Sequence, residues 1–329
     1  MSLSYNVDPK SSLIGNSNRF QILSLDGGGI KGIFSAAILA AFEEDLGIRV
    51  VDHFDLIAGT STGGIIAIGL GLGLSPRQIV QFYMTHGPSI FPGSSGRRRC
   101  LSHWFRRKYS AGPLEAALVE CFGNRLFGES NKRLVIPAYN LGEDDVYIFR
   151  TPHHETLSRD LKVPAWKVAR ATSAAPTVFP SFRGIDGQRL IDGGVWANNP
   201  AMAALVESFT TLNIPLERTR ILSIGTTDPL NSRQSGLDEG GMFAWAWAAT
   251  NVVLRGQTIA ARNQARFLVG DDNFSRLDPT VPADQFCLDG IDRSQELIAK
   301  AAHHSRIFAP TFNKRFAKHT AQPFVPDRQ

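Results

Sequence analysis

Short apolar runs alternate with amphipathic stretches along most of the chain. Residues 21–25 form a compact apolar run that enters a cluster of glycines and then a helix ending near Gly47. That helix follows from Phe34, Ile38 and Phe42, spaced by four and so on one face, with Glu43, Glu44 and Asp45 at polar positions. Residues 54–58 predict a second buried strand, which enters Gly59-Thr60-Ser61-Thr62-Gly63 and then a small-residue helix over 63–73. Ser75 and Gln78 make a capping box with Pro76 at the first helical position, so a further helix should carry Ile79, Phe82 and Tyr83. Downstream, the pattern predicts helices over 113–122 and 164–175, strands over 134–138, 146–149, 190–191 and 221–225, and late helices over 242–254 and beyond Ser294. Alternating strands and helices argue an α/β layered fold with a largely parallel sheet.

Composition adds limits to this picture. Apolar residues make up 43% and charged residues 20% of 329, enough for one large core with an added cap. The expected division is a polar leader over 1–18, a domain over 19–310 and a loose tail over 311–329. Within the domain, 87–112 shifts to Gly, Ser, Pro and cations around Trp104 and Phe105, as a cap or lid insertion would. Cys100, Cys121 and Cys287 lack paired spacing and read as thiols in a reducing compartment. The first twenty residues lack the basic start and apolar stretch of a secretory signal, which predicts a cytoplasmic location. The most apolar stretch, 65–74, is broken by Gly69, Gly71 and Gly73 and falls short of the ~18 residues of a membrane span. A formal charge of +5 favours encounter with anionic lipid headgroups or nucleotides.

The candidate chemistry lies in three glycine-bearing turns. Ser61, flanked by Gly59 and Gly63 between an apolar strand and a helix, has the form of a nucleophile elbow. Asp26-Gly27-Gly28-Gly29-Ile30-Lys31-Gly32 leaves successive main-chain N–H groups bare at a helix N-terminus, a nest suited to an oxyanion, with Lys31 adding positive charge. The same stretch contains G-x-G-x-x-G, so a nucleotide-binding module is an alternative; Asp52 and Asp55 are poorly placed for its ribose acid. Asp192, at the end of a short strand and before Gly193 and Gly194, is the best-placed base for the serine; an Asx turn is the bland reading. A Ser-His-Asp triad of a carboxylesterase or thioesterase would call on His303 or His304.

These blocks, with the stretch Ala171-Thr172-Ser173-Ala174-Ala175-Pro176 ahead of the aspartate, closely resemble the patatin-like phospholipases over residues 21 to about 226. The resemblance implies a three-layer α/β/α fold, lipid acyl-ester substrates, a dyad of Ser61 and Asp192, and an oxyanion site of Gly28, Gly29 and Lys31. It implies no metal and no organic cofactor. Many relatives carry arginine where Lys31 stands; the lysine keeps the charge and loses the bidentate geometry. The basic, aromatic insertion is similar to bacterial patatin-like effectors of anti-phage signalling, which a cyclic dinucleotide switches on against membrane phospholipid. Partners expected on that basis are a phospholipid surface at the inner membrane and a cyclic dinucleotide, with no DNA or RNA; a homodimer is an admissible assembly. Phe243, Trp245, Trp247 and Val253 form either a surface admitting lipid or buried core.

Overall fold

The computed structural model describes residues 19–92, 108–230, 237–282, 285–322 and 324. Its centre is a seven-stranded sheet in the order β4-β3-β2-β1-β6-β8, with β5 pairing β3. The strands are β1 (Phe20–Leu25), β2 (Leu56–Gly59), β3 (Arg133–Asn140), β4 (Asp145–Arg150), β5 (Leu190–Asp192), β6 (Thr219–Ile224) and β8 (Phe274–Leu277). A separate parallel pair joins β7 (Asp228–Leu230) to β9 (Thr280–Pro282). Contacts between β1, β2, β3, β6 and β8 are parallel, and β4 and β5 run antiparallel to β3.

A parallel sheet needs cover on both faces, which explains why all six residues of β1 are buried. Leu23 and Leu25 point into a core shared with α1 (Gly32–Leu46), α2 (Thr62–Gly71), α3 (Pro76–Ile90) and α9 (Ser294–Arg315). Phe20, Ile22, Leu56 and Ile221 face the other way, onto α7 (Ala201–Thr210) and the C-terminal half of α8 (Met242–Val269). The result is the expected α/β/α layering. The remaining helices described are α4 (Gly112–Phe122), α5 (Ala165–Thr172) and α6 (Gly194–Ala197). The Ser75 capping box forms as expected, with the serine hydroxyl accepting from Gln78 N.

Two expectations about boundaries change. The tail expected over 311–329 is packed as far as Ala321: α9 runs to Arg315, and Phe312 stacks on Phe42 with ring centroids 4.7 Å apart. Phe316 is buried against Phe54, and its carbonyl accepts from Gln21 Nε2 at 3.1 Å. His319 Nε2 meets the buried carboxylate of Asp55 at 2.7 Å, and Ala321 N donates to Asp52 O at 2.7 Å. The reason is that polar groups at the N-terminal ends of β1 and β2 need partners, and this segment supplies them. The insertion expected over 87–112 is helical at both ends, because α3 runs through Ile90 and α4 starts at Gly112. Residues 93–107, with the arginine clusters, Cys100, Trp104 and Phe105, lie outside the described residues, as does the leader 1–18. The side chains of Phe243 and Trp247 are also outside them, while Val253 is exposed and Trp245 is 38% exposed. Among the described residues no helix is long and apolar enough to cross a membrane.

Candidate active site

Parallel pairing aligns Leu25 with Gly59, so the turns that leave β1 and β2 open side by side at one edge of the sheet. Ser61 occupies the second turn with φ 55° and ψ −121°, a left-handed backbone that costs an ordinary residue energy. Its neighbours hold it there. Ser61 N donates to Thr172 Oγ1 at 3.0 Å, and Thr172 in turn donates to Pro137 O at 2.6 Å. Thr60 Oγ1 donates to Ala197 O at 2.6 Å. The turn is too tight for side chains at its ends: a Cβ at Gly59 would lie 2.1 Å from Gly63 O, and one at Gly63 2.2 Å from Leu25 O. Strand β2, two glycines and the helix α2 therefore lift the hydroxyl above the sheet.

Asp192 arrives from another direction. β5 lies against β3 with Asp192 opposite Ala138, and Asp192 N donates to Ala174 O at 3.1 Å. The carboxylate is buried and accepts from Gly194 N at 2.7 Å. Burial pushes its pKa up to about 6, while the neighbouring Ser61 hydroxyl and Gly194 N act against that rise. The structure thus joins the two side chains singled out in the sequence, although 131 positions separate them (192 less 61). Among the described residues no histidine bonds to Asp192; His304 instead sits edge-on to Phe34 at 6.5 Å in α9. Asp55, the weak ribose-acid candidate, accepts from Gln21 N at 2.8 Å and belongs to the far end of the sheet.

The glycine loop runs beside Ser61, since a Cβ at Gly27 would come 3.3 Å from that of the serine. Gly27 N donates to Asn198 O, and Ile30 N to Leu288 O. The N–H groups of Gly28 and Gly29 have no acceptor among the described residues. Gly29 has φ +58°, which suits glycine, and a Cβ at Gly28 would lie 2.2 Å from Thr226 Oγ1. Lys31 is buried and donates through Nζ to Thr227 O at 3.2 Å, so its ammonium is committed behind the loop. Desolvation lowers its pKa, and the carboxylates of Asp278 and Asp228 pull the other way.

Sequence reasoning missed what holds this loop. Asp26, its first residue, is buried and takes Arg276 Nη1 on Oδ1 at 2.9 Å and Nη2 on Oδ2 at 2.6 Å. Asn199 Nδ2 adds a third bond to Oδ1 at 2.9 Å. Burial raises the Asp26 pKa to about 6 against the pull of Arg276. The buried acid opening the motif was the available signal; its cation comes from β8, a strand too short to leave a pattern.

An α/β/α chain with a serine on a strained elbow, next to a buried carboxylate and bare main-chain amides, falls in the class of serine ester hydrolases. Residues 23–205 match the family model of the patatin-like phospholipases. A cGAMP-activated phospholipase of Pseudomonas aeruginosa is 32% identical over 276 residues, 83% of each chain. One of Vibrio cholerae is 34% identical over 64% of each chain. Patatin-like protein 4 of Arabidopsis thaliana is 34% identical over 57% of this chain and 52% of its own. The chain belongs to the patatin-like phospholipase family.

Proposed function

We propose that the chain cleaves acyl esters of membrane phospholipid through Ser61 and Asp192. The observation that carries this reading is the Ser61 hydroxyl on its strained elbow beside the buried Asp192 carboxylate, whose pKa lies near 6. A base in that range accepts the serine proton as Oγ adds to the ester carbonyl carbon. Negative charge then forms on the carbonyl oxygen, where the free N–H groups of Gly28 and Gly29 stand ready; each such donor stabilises the transition state by roughly 3 to 4 kcal/mol. Lys31 contributes a fixed positive charge from behind the loop. Collapse breaks the ester bond, and the leaving lysolipid alcohol takes the proton held on Asp192. Water, deprotonated by Asp192, attacks the acyl-enzyme and releases the fatty acid and free Ser61.

The same reading extends to setting. The names of the Pseudomonas and Vibrio relatives support activation by a cyclic dinucleotide. In this reading the enzyme works from the cytoplasm on the inner membrane, through peripheral contact, in a defence response. A charge of +5 supports approach to anionic headgroups. Ser61→Ala and Asp192→Ala should each lower fatty-acid release from phospholipid vesicles by at least about 10⁴-fold with the protein still folded. Wild-type turnover in Asp192→Ala would refute the dyad.

A further inference from the structure

The helical turn that follows Asp192 brings one more polar side chain to the pocket. α6 (Gly194–Ala197) begins two residues after the aspartate, and Asn198 at its end keeps helical angles, φ −57° and ψ −37°. Gly194 and Asn198 are four apart and so share a face. A Cβ on Gly194 would come 3.0 Å from Asp192 Oδ1 and 3.4 Å from Asn198 Oδ1. A Cβ on Gly27 would come 2.4 Å from the same amide oxygen and 3.3 Å from Ser61 Cβ. Glycine at both positions therefore leaves the Asn198 amide facing nucleophile and base together.

Which end of the amide faces inward is set from α8. Thr258 Oγ1 donates to Leu254 O at 2.9 Å, which uses its one hydrogen. Toward Asn198 it can only accept, and Nδ2 lies 3.4 Å from it. The NH2 group thus turns to α8 and Oδ1 to the pocket, where no donor among the described residues bonds it. The main-chain oxygen of Asn198 has a separate duty, accepting Gly27 N at 3.0 Å. Replacing the side chain alone leaves that bond in place.

We propose that Asn198 is a catalytic residue of the second half-reaction, whose amide oxygen orients the water that attacks the acyl-enzyme. That water has two protons. One passes to the Asp192 carboxylate as the water oxygen bonds to the acyl carbon. Asn198 Oδ1 accepts the other in a hydrogen bond, which turns an oxygen lone pair toward that carbon. Collapse then breaks the bond from the acyl carbon to Ser61 Oγ, which takes back the proton held on Asp192, and the fatty acid leaves. Acylation consumes no water, so Oδ1 serves deacylation alone. This role rests on the hydrolase reading above.

A p-nitrophenyl acyl ester separates the half-reactions: the nitrophenolate burst reads acylation, and decay of the acyl-enzyme, followed by intact mass, reads deacylation. Asn198→Ala should slow deacylation at least about 10-fold, with acylation within about 3-fold of wild type, so that acylated Ser61 accumulates. Added methanol distinguishes orientation of water from general damage. Its single O–H proton goes to Asp192 and carbon stands in place of the second proton, so transfer to methanol does not call on Oδ1. At fixed methanol the ratio of methyl ester to free fatty acid should rise about 10-fold in Asn198→Ala. Thr258→Val, which frees the amide to turn, should raise the ratio by a smaller amount. Loss of packing would slow both transfers alike. Melting curves check folding, and Asn198→Leu, of similar size, replaces Asn198→Ala if that variant melts early. An unchanged ratio, or acylation slowed as much as deacylation, overturns the role, and a wild-type ratio in Thr258→Val overturns the amide orientation on which it depends. A wild type that forms no acyl-Ser61 overturns the hydrolase reading itself, and the role of Asn198 falls with it.

Discussion

Burial sets the working range of Asp192. With its pKa near 6, the proposed base is charged only above that value, so hydrolysis should climb with pH through about 6 and level off beyond it. Stability should move the opposite way. The folded value lies above the ordinary value of 3.8, so this group's contribution is fully present below 3.8 and is lost as pH rises through 6. Asp192→Asn should therefore stabilise the protein at pH 8 by on the order of 3 kcal/mol, with the gain vanishing near pH 4, as read from urea midpoints. A gain that persisted at low pH would point to packing instead of charge. Ser61, Asp192 and the bare amides could be found in the sequence because each needs glycine close by in the chain. Arg276 could not, since its partner Asp26 stands 250 residues away. Nor could the position of the Lys31 ammonium, which depends on a carbonyl at Thr227.

Among elements, those with long or chemically marked patterns were legible: α1 from its four-residue spacing, α3 from its capping box, β1 and β2 from apolar runs ending in glycine. Strands β7, β8 and β9, of three or four residues each, are too short to show alternation and exist because the sheet edge and the β7–β9 pair hold them. The helix expected over 242–254 extends to Val269, carried on by the buried Ala265 and Val269. The loop between β1 and α1 yields the sharpest test at this scale. Gly28→Ala would drive a Cβ into Thr226, displacing a proposed donor. It should lower kcat by about 10²-fold with KM nearly unchanged, while the clash lowers the melting temperature by only a few degrees. A proportional fall in melting temperature would mark the effect as structural.

For the whole molecule, alternation of strand and helix was enough to give the layered class. Strand order was not legible, because β1 pairs with β6 from some two hundred residues downstream and β3 receives β5 out of turn. The segment past residue 310 reads as a tail because its composition is polar, while Phe312, Phe316 and His319 close the lower end of the sheet. A chain ending at residue 310 should lose more than about 5 kcal/mol, since it discards Phe312 and Phe316 and strands Asp55 without His319. Denaturant unfolding or loss of soluble protein would reveal it; stability equal to the full chain would contradict the packing described.

The grip of Arg276 on Asp26 also orders events in time. On the ribosome the elbow and the glycine loop emerge early, but the arginine that clamps the loop is translated about 250 residues later. Until β8 has emerged, the glycine loop of a nascent chain therefore stands without its clamp.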